Sequence, residues 1–246
     1  MKRSVIVIVA ALVLGMAGAA QAGYFEGFEG SGPFDFYADP GSLSGVTTAQ
    51  AYSGTQSAEF SLDATHFAYT RFKSVDISSY GYTLKDIQAS DWVMRTLGRT
   101  DLSPYLLFTV ATPNTPSGSE TMVIQFSMAA ISDNVWTENA IDRNATTFHV
   151  SGNGAFDRTG LTPGTFSSSG TQGTLDDLSA ITYSGSTTWG DMPVTAVRVG
   201  VGNWDASQAY TAYVDDLSVT PEPATLSFLA LGGAAMFVRR RRGRKA

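Results

Sequence analysis

Thr195-Ala196-Val197-Arg198-Val199-Gly200-Val201 spaces its valines two apart. In an extended chain, successive side chains point to opposite faces, so Val197, Val199 and Val201 share one side. β-Branched residues at this period suit a strand and have no helical repeat. The pattern recurs on both sides of the run. Residues 210–219 predict a last strand, and residues 121–128 set Met122, Ile124, Phe126 and Met128 on one side. Residues 105–111 are apolar throughout except Thr109, as expected of a strand covered on both faces. Trp92, Met94 and Thr96 face away from Val93, Arg95 and Leu97, and residues 57–62 alternate Ala58, Phe60 and Leu62 with polar residues. Residues 67–72 alternate less cleanly. Only residues 175–181 suggest a helix, with Thr174 as N-cap and Asp176 and Asp177 in the first turn. Residues 112–120 form a turn of hairpin length, and residues 151–173 a long polar loop. These runs predict an all-β domain, an antiparallel β-sandwich or barrel, over residues 23–220.

The two ends differ from this domain. Lys2 and Arg3 precede an apolar run at residues 5–17, and Ala20-Gln21-Ala22 offers a small-x-small cleavage site before Gly23. This predicts a signal helix in residues 1–22, removed by signal peptidase. A retained anchor would need about 20 apolar residues, and the run is shorter.

At the other end, Pro221-Glu222-Pro223 leads into an uncharged apolar run at residues 224–238, closed by Arg239-Arg240-Arg241-Arg242. Arginines beyond an apolar run stay in the cytoplasm, which orients the preceding domain outward. The three parts in this order resemble the PEP-CTERM sorting signal over residues 221–246. The resemblance implies an exosortase, a membrane protease-transpeptidase, that cuts near Pro-Glu-Pro and releases or transfers the cargo. It also implies a host that makes extracellular polysaccharide, and a cargo tethered to the inner membrane by the transmembrane-type helix before reaching the surface or matrix. A permanent C-terminal anchor would give the same topology.

Of 22 acidic residues only Glu222 lies outside residues 23–220, where eight Lys and Arg leave a net charge of −13. Such a domain repels phosphate backbones, so nucleic acid is not an expected partner. The chain has no cysteine, which rules out thiol catalysis and Cys-ligated zinc. A core of this size needs no disulfides.

Within the domain, residues 24–30 (Tyr-Phe-Glu-Gly-Phe-Glu-Gly), Ser53-Gly54-Thr55-Gln56-Ser57 and Asp215-Asp216 in the last strand resemble secreted jelly-roll modules of the carbohydrate-binding and galactose-binding-like type. The resemblance implies a structural calcium ion where first and last strands meet, with Glu26, Glu29, Asp215 and Asp216 as the matching residues. Independently, Asp215 shares the predicted core face of Leu217 and Val219. A carboxylate there is costly unless paired or metal-bound, and neither segment has a Lys or Arg. The alternative is an acidic strand edge that deters aggregation.

Trp136, Trp189 and Trp204 lie in polar surroundings. Flat aromatics beside carboxylates and amides can stack on a sugar ring. Each could equally plug an end of the sandwich, whereas Trp92 belongs to the core. His66 and His149 form no metal or triad pattern, there is no Gly-x-Ser-x-Gly elbow, and no strand carries alternating acids for glycoside hydrolysis. Asn144-Ala145-Thr146 fits a glycosylation sequon, which a bacterial chain leaves bare. The expectation is a non-enzymatic, exported matrix or surface protein associated with exopolysaccharide. The alternatives are a lectin-like module using loop tryptophans and, third, a carbohydrate-active enzyme.

Overall fold

In the computed structural model of the protein, which describes residues 24–29, 35–38, 42–62, 69–73, 75–97, 104–125, 132–153, 155–161, 171–202 and 209–221, the valine run is strand β15 (Val194–Gly202). It sits in the larger of two sheets, ordered β12 (Thr171–Thr174), β11 (Thr147–Asn153), β9 (Glu120–Gln125), β8 (Tyr105–Val110), β15, β5 (Tyr69–Lys73), β2 (Asp35–Ala38). The short β6 (Val75–Asp76) also pairs with β15. The smaller sheet runs β10 (Thr137–Asp142), β7 (Ile87–Leu97), β16 (Tyr210–Pro221), β4 (Ser57–Leu62), β3 (Ser42–Thr47), with β1 (Tyr24–Glu26) beside β16. β13 (Thr182–Ser184) and β14 (Thr187–Thr188) make a separate hairpin. The registered strand pairs are antiparallel. Residues 23–220 form one compact unit, and the expected antiparallel sandwich is what the chain builds.

Its core lies between the sheets. Val197, Val199 and Val201 of β15, Leu106, Phe108 and Val110 of β8, and Phe148 and Val150 of β11 meet Phe60 of β4, Trp92 and Met94 of β7, and Ala212, Val214, Leu217 and Val219 of β16. Period-two alternation delivers each set to one face. Trp92 is core, as its alternation predicts. β8 is covered on both faces, because Leu107 is buried in a second cluster with Met122. The β9 run therefore turns Val123 to the main core and Met122 to the opposite face.

The helix Leu175–Ala180 forms where expected, and Thr174 caps it by accepting from Asp177 N at 3.2 Å while Asp177 Oδ2 accepts from Thr174 N at 2.9 Å. The same reciprocal cap recurs in two 3-10 turns, Thr83 with Asp86 and Thr188 with Asp191. In each case the residue after the threonine, Leu84, Leu175 or Trp189, is driven into the core and fully buried. Each cap satisfies N–H groups that a helix start leaves open.

The signal segment at residues 1–22 with Ala20 and Ala22, together with Gly23, His66, Trp204, Glu222, Pro223, the apolar run at residues 224–238 and Arg239 to Arg242, lies outside the described residues. Among those described, no helix is long and apolar enough to cross a membrane.

Candidate functional site

The last strand changes neighbour along its length. Tyr210 to Val214 pair with β4, and Leu217 to Val219 pair with β1. Between these pairings lie Asp215 and Asp216, the latter with φ 47°. The core alternation changes phase beside Asp215, with Ala212 and Val214 in the core before it and Leu217 and Val219 after it, and Asp215 is completely buried. Its Oδ2 accepts from the backbone N–H groups of Tyr52 (2.9 Å) and Ser53 (3.1 Å), and its Oδ1 from that of Asp216 (2.8 Å). Burial raises its pKa, and the three N–H bonds act against that rise.

Glu29 completes the hold on the same turn. Its Oε1 accepts from Thr55 N (2.6 Å) and Gln56 N (3.0 Å), and its Oε2 from Thr55 Oγ1 (2.8 Å). Gly54 makes this approach possible: its φ is +59°, and a Cβ there would lie 2.0 Å from Glu29 Oε1. Ser57 Oγ donates to Gln50 O at 2.7 Å and closes the loop's base. Ser53 Oγ donates to Asp216 Oδ1 at 2.7 Å, and Glu26 Oε1 accepts from Phe28 N at 2.6 Å.

Of the four acids expected from the sequence, the fold brings Glu29, Asp215 and Asp216 onto one loop, while Glu26 accepts from Phe28 N. What meets them differs from the expectation. Calcium takes six to eight oxygens, yet the lone pairs of Asp215 and Glu29 are directed at N–H groups. Among the described residues no group of three or more acidic or histidine side chains is assembled to hold a metal ion. As arranged, the set does not fit a calcium site. It is a carboxylate-to-amide clamp.

The clamped loop carries an aromatic ring to the surface. Tyr52 is 46% exposed, and its ring centroid lies 5.8 Å from that of the half-buried Trp136, with the planes at 58°. Tyr52 OH donates to Glu138 Oε1 at 3.1 Å, across 86 positions of sequence. That bond is the main cause of a raised Tyr52 pKa. Arg95 braces both ring-bearing loops from β7: Nη1 donates to Gln50 Oε1, while Nε (3.0 Å) and Nη2 donate to Asn134 Oδ1. Asn134 itself, at φ 62°, is tied by its N–H to Thr96 O at 2.7 Å. Two aromatic rings, a carboxylate, two amides and a guanidinium therefore share one surface. Such a set can stack on a sugar ring and bond its hydroxyls.

Trp189 takes no part in it. Its ring is fully buried, edge-on to Tyr183 at 6.0 Å, and its Nε1 donates to Thr159 O at 2.9 Å. A buried indole offers no face to a sugar, so the structure corrects this candidate. The reason is the Thr188/Asp191 cap, which turns the ring inward. Asp157 is buried nearby and accepts from Tyr183 OH (2.5 Å) and from Thr159 N (2.9 Å) and Oγ1 (2.8 Å). His149 stands in β11, half-buried, and desolvation lowers its pKa. Tyr52 and Arg95 were not singled out from the sequence, because their relation to Trp136 exists only once the loops meet.

These carboxylates set an acid response. Desolvation opposes charge on Asp157, but the Tyr183 and Thr159 bonds outweigh it and lower its pKa. Amide and hydroxyl donors lower Glu29, Asp76 and Asp177, and Lys85 with Thr188 brings Asp191 to about 2. A depressed folded pKa gives stability that is present above the unfolded value, about 4, and lost as pH falls through the folded one. Asp215 has the opposite sign, so acid relieves its burial cost, but it stands against five. The melting temperature of the domain should therefore fall between about pH 4 and about pH 2. A thermal-melt series that stays level to pH 2 would contradict this.

Comparison with known proteins adds the following. Residues 219–242 match the PEP-CTERM protein-sorting motif. No curated protein matches the chain. Among solved structures it is similar to the CBM22-1 xylan-binding domain from Paenibacillus barcinonensis, with 14% identity and a TM-score of 0.42, over 82% of this chain and 97% of that one. It is also similar to a family 22 carbohydrate-binding module from Clostridium thermocellum (12%, TM-score 0.43, 82% and 96%) and to an endo-β-1,4-glucuronan lyase from the fungus Trichoderma reesei (12%, TM-score 0.45, 81% and 95%).

Proposed function

We propose that this chain, which carries a PEP-CTERM sorting motif behind an all-β domain, is an exported surface protein that binds polysaccharide without transforming it. Signal peptidase removes residues 1–22, the apolar run at residues 224–238 holds the chain in the inner membrane, and an exosortase then acts near Pro221-Glu222-Pro223. The β-sandwich is delivered to the cell surface or exopolysaccharide layer. The sorting motif at residues 219–242 supports the route. The domain's net charge of −13 favours an uncharged or cationic glycan over an acidic one.

One observation carries the ligand reading: Tyr52 and Trp136 meet at the surface, ringed by Glu138, Asn134, Gln50 and Arg95. The rings supply stacking area, and the polar groups supply donors and acceptors at fixed positions. No such group is placed as a nucleophile or paired acid, which supports binding rather than hydrolysis. Trp204, beyond the described residues, stays a second candidate ring of the same kind.

The test is retention of residues 23–220 on a panel of immobilised neutral polysaccharides. Trp136→Ala or Tyr52→Ala should weaken retention about tenfold, equivalent to about 1.4 kcal/mol, with the melting temperature within about 3 °C of the parent for the exposed Tyr52 and the half-buried Trp136, neither of which belongs to the main core. Retention unaffected by either change, or absent from the parent on every polysaccharide, would defeat the reading.

A further inference from the structure

Among the described residues, three large apolar side chains are exposed: Phe25 (64%), Val135 (51%) and Tyr52 (46%). Scattered exposed apolar residues are ordinary, but a patch of them rimmed by polar groups marks a contact surface. These three share one. Val135 precedes Trp136, whose ring meets that of Tyr52. A Cβ at Gly27 would lie 3.4 Å from Phe25 Cε1 and 3.8 Å from Asp216 Oδ1, so the Phe25 ring folds back beside that carboxylate. Asp216 Oδ1 accepts from Ser53 Oγ, the neighbour of Tyr52 in the chain. A row therefore runs from Phe25 past Asp216 and Ser53 to Tyr52 and Trp136, with Glu138 against the Tyr52 hydroxyl. The carboxylates of Glu138 and Asp216 make this row unsuited to an anionic ligand.

The tilt between the rings decides what form of ligand can use them. The planes of Tyr52 and Trp136 stand at 58°, and both rings are held there. Tyr52 is tied by its backbone N–H to Asp215 and by its hydroxyl to Glu138. The Trp136 loop is tied through Asn134 to Arg95 and to Thr96 O. Turning the rings coplanar would break the 3.1 Å bond between Tyr52 and Glu138. A flat ribbon, whose sugar rings all lie parallel and which packs into crystalline sheets, can therefore cover only one ring at a time. A chain whose successive sugars are rotated about its axis can lay one on each, because the centroid spacing of 5.8 Å is close to the length of a pyranose residue. We infer that this row selects a single, twisted polysaccharide chain over a flat crystalline one, with adjacent sugars on Trp136 and Tyr52 and Phe25 as a third contact farther along. This rests on the polysaccharide reading above and adds the form of the chain and the role of Phe25. The tilt that admits one ligand form is also what rejects the other.

The test measures binding of the full chain, kept soluble in mild detergent, to two groups of neutral polysaccharide. One group is soluble single chains (laminarin, glucomannan, arabinoxylan). The other is crystalline (microcrystalline cellulose and chitin), with swollen, amorphous cellulose as the control that shares a linkage with its crystal. At least one soluble chain should bind about tenfold more tightly than either crystalline material. Phe25→Ala should weaken that chain several-fold and leave its disaccharide unchanged, since the shorter ligand spans only the ring pair. Tyr52→Phe keeps the stacking area but removes the Glu138 tether, so the preference for soluble over crystalline material should fall several-fold. Equal binding to both groups, or a preference untouched by Tyr52→Phe, would overturn the inference while leaving the polysaccharide reading intact. So would a Phe25→Ala variant that binds the chain normally but loses a dimer seen by sedimentation, which would make this face an interface between copies. Binding to neither group would overturn the polysaccharide reading, and the inference with it.

Discussion

Glu120→Ala should destabilise the domain by about 3–5 kcal/mol, lowering its melting temperature by roughly 8–15 °C for a chain of this size. Arg198 is 3% exposed on β15, on the face away from the main core, and Glu120 holds it with two bonds, Nη1 to Oε2 at 2.8 Å and Nη2 to Oε1 at 2.7 Å. Around it lie Met122, whose sulfur is 3.9 Å from Nη1, and Leu107, its register partner on β8. The guanidinium Nε has no acceptor, so Glu120 supplies the ion's compensation. Removing the carboxylate leaves an uncompensated buried charge, which is far worse than removing the pair. Arg198→Met should cost much less, and Glu120→Leu with Arg198→Met together should recover most of the parent stability. The check is a double-mutant cycle by thermal or urea denaturation. A loss under 1 kcal/mol for Glu120→Ala would mean that water reaches Arg198 and that this face is open.

Asp215→Ala should be nearly as costly, about 2–4 kcal/mol, because it strands the partly buried N–H groups of Tyr52, Ser53 and Asp216 around an emptied, fully buried side-chain position. Asp215→Asn should fall between, since an amide offers only one acceptor oxygen and turns a donor toward an N–H. The effect reaches the binding surface too. Asp215 holds the loop that presents Tyr52 to Trp136, so polysaccharide retention should weaken in Asp215→Asn although the residue lies beneath the rings. Chelator is the companion measurement. If N–H groups satisfy these carboxylates, the melting midpoint of the parent is the same in calcium and in chelator. A midpoint that rises several degrees in calcium would replace the clamp with a metal site.

These two residues show how far the chain could be read without coordinates. That Asp215 needs a partner was legible, since alternation with Leu217 and Val219 predicts an inward carboxylate; the phase shift that follows Ala212 and Val214, at the positive φ of Asp216, was not. The partner was not legible, because it is a pair of N–H groups 162 and 163 positions earlier in the chain. In the sequence, Arg198 is only the charged residue between valines. Nothing in its own strand says that its outward face is covered or that Glu120 lies beside it.

Trp189 teaches the converse. Its polar neighbours suggested a loop, yet Thr188-x-x-Asp191 is a capping signature, repeated at Thr83-x-x-Asp86 and Thr174-x-x-Asp177, and each repeat sends its second residue inward. Reading all three together would have placed Trp189 beside Leu84 and Leu175 in the core. The strand class, the acidic domain between two oily and unevenly charged ends, and the sorting motif were determined by the sequence alone. Each is a local property, set by the spacing of side chains along a few residues. Which oxygen meets which N–H, which tryptophan is exposed, and that the domain's two ends lie side by side were decided by the tertiary structure. Those facts depend on strand register across most of the chain, and register follows from packing of the whole core rather than from any one segment.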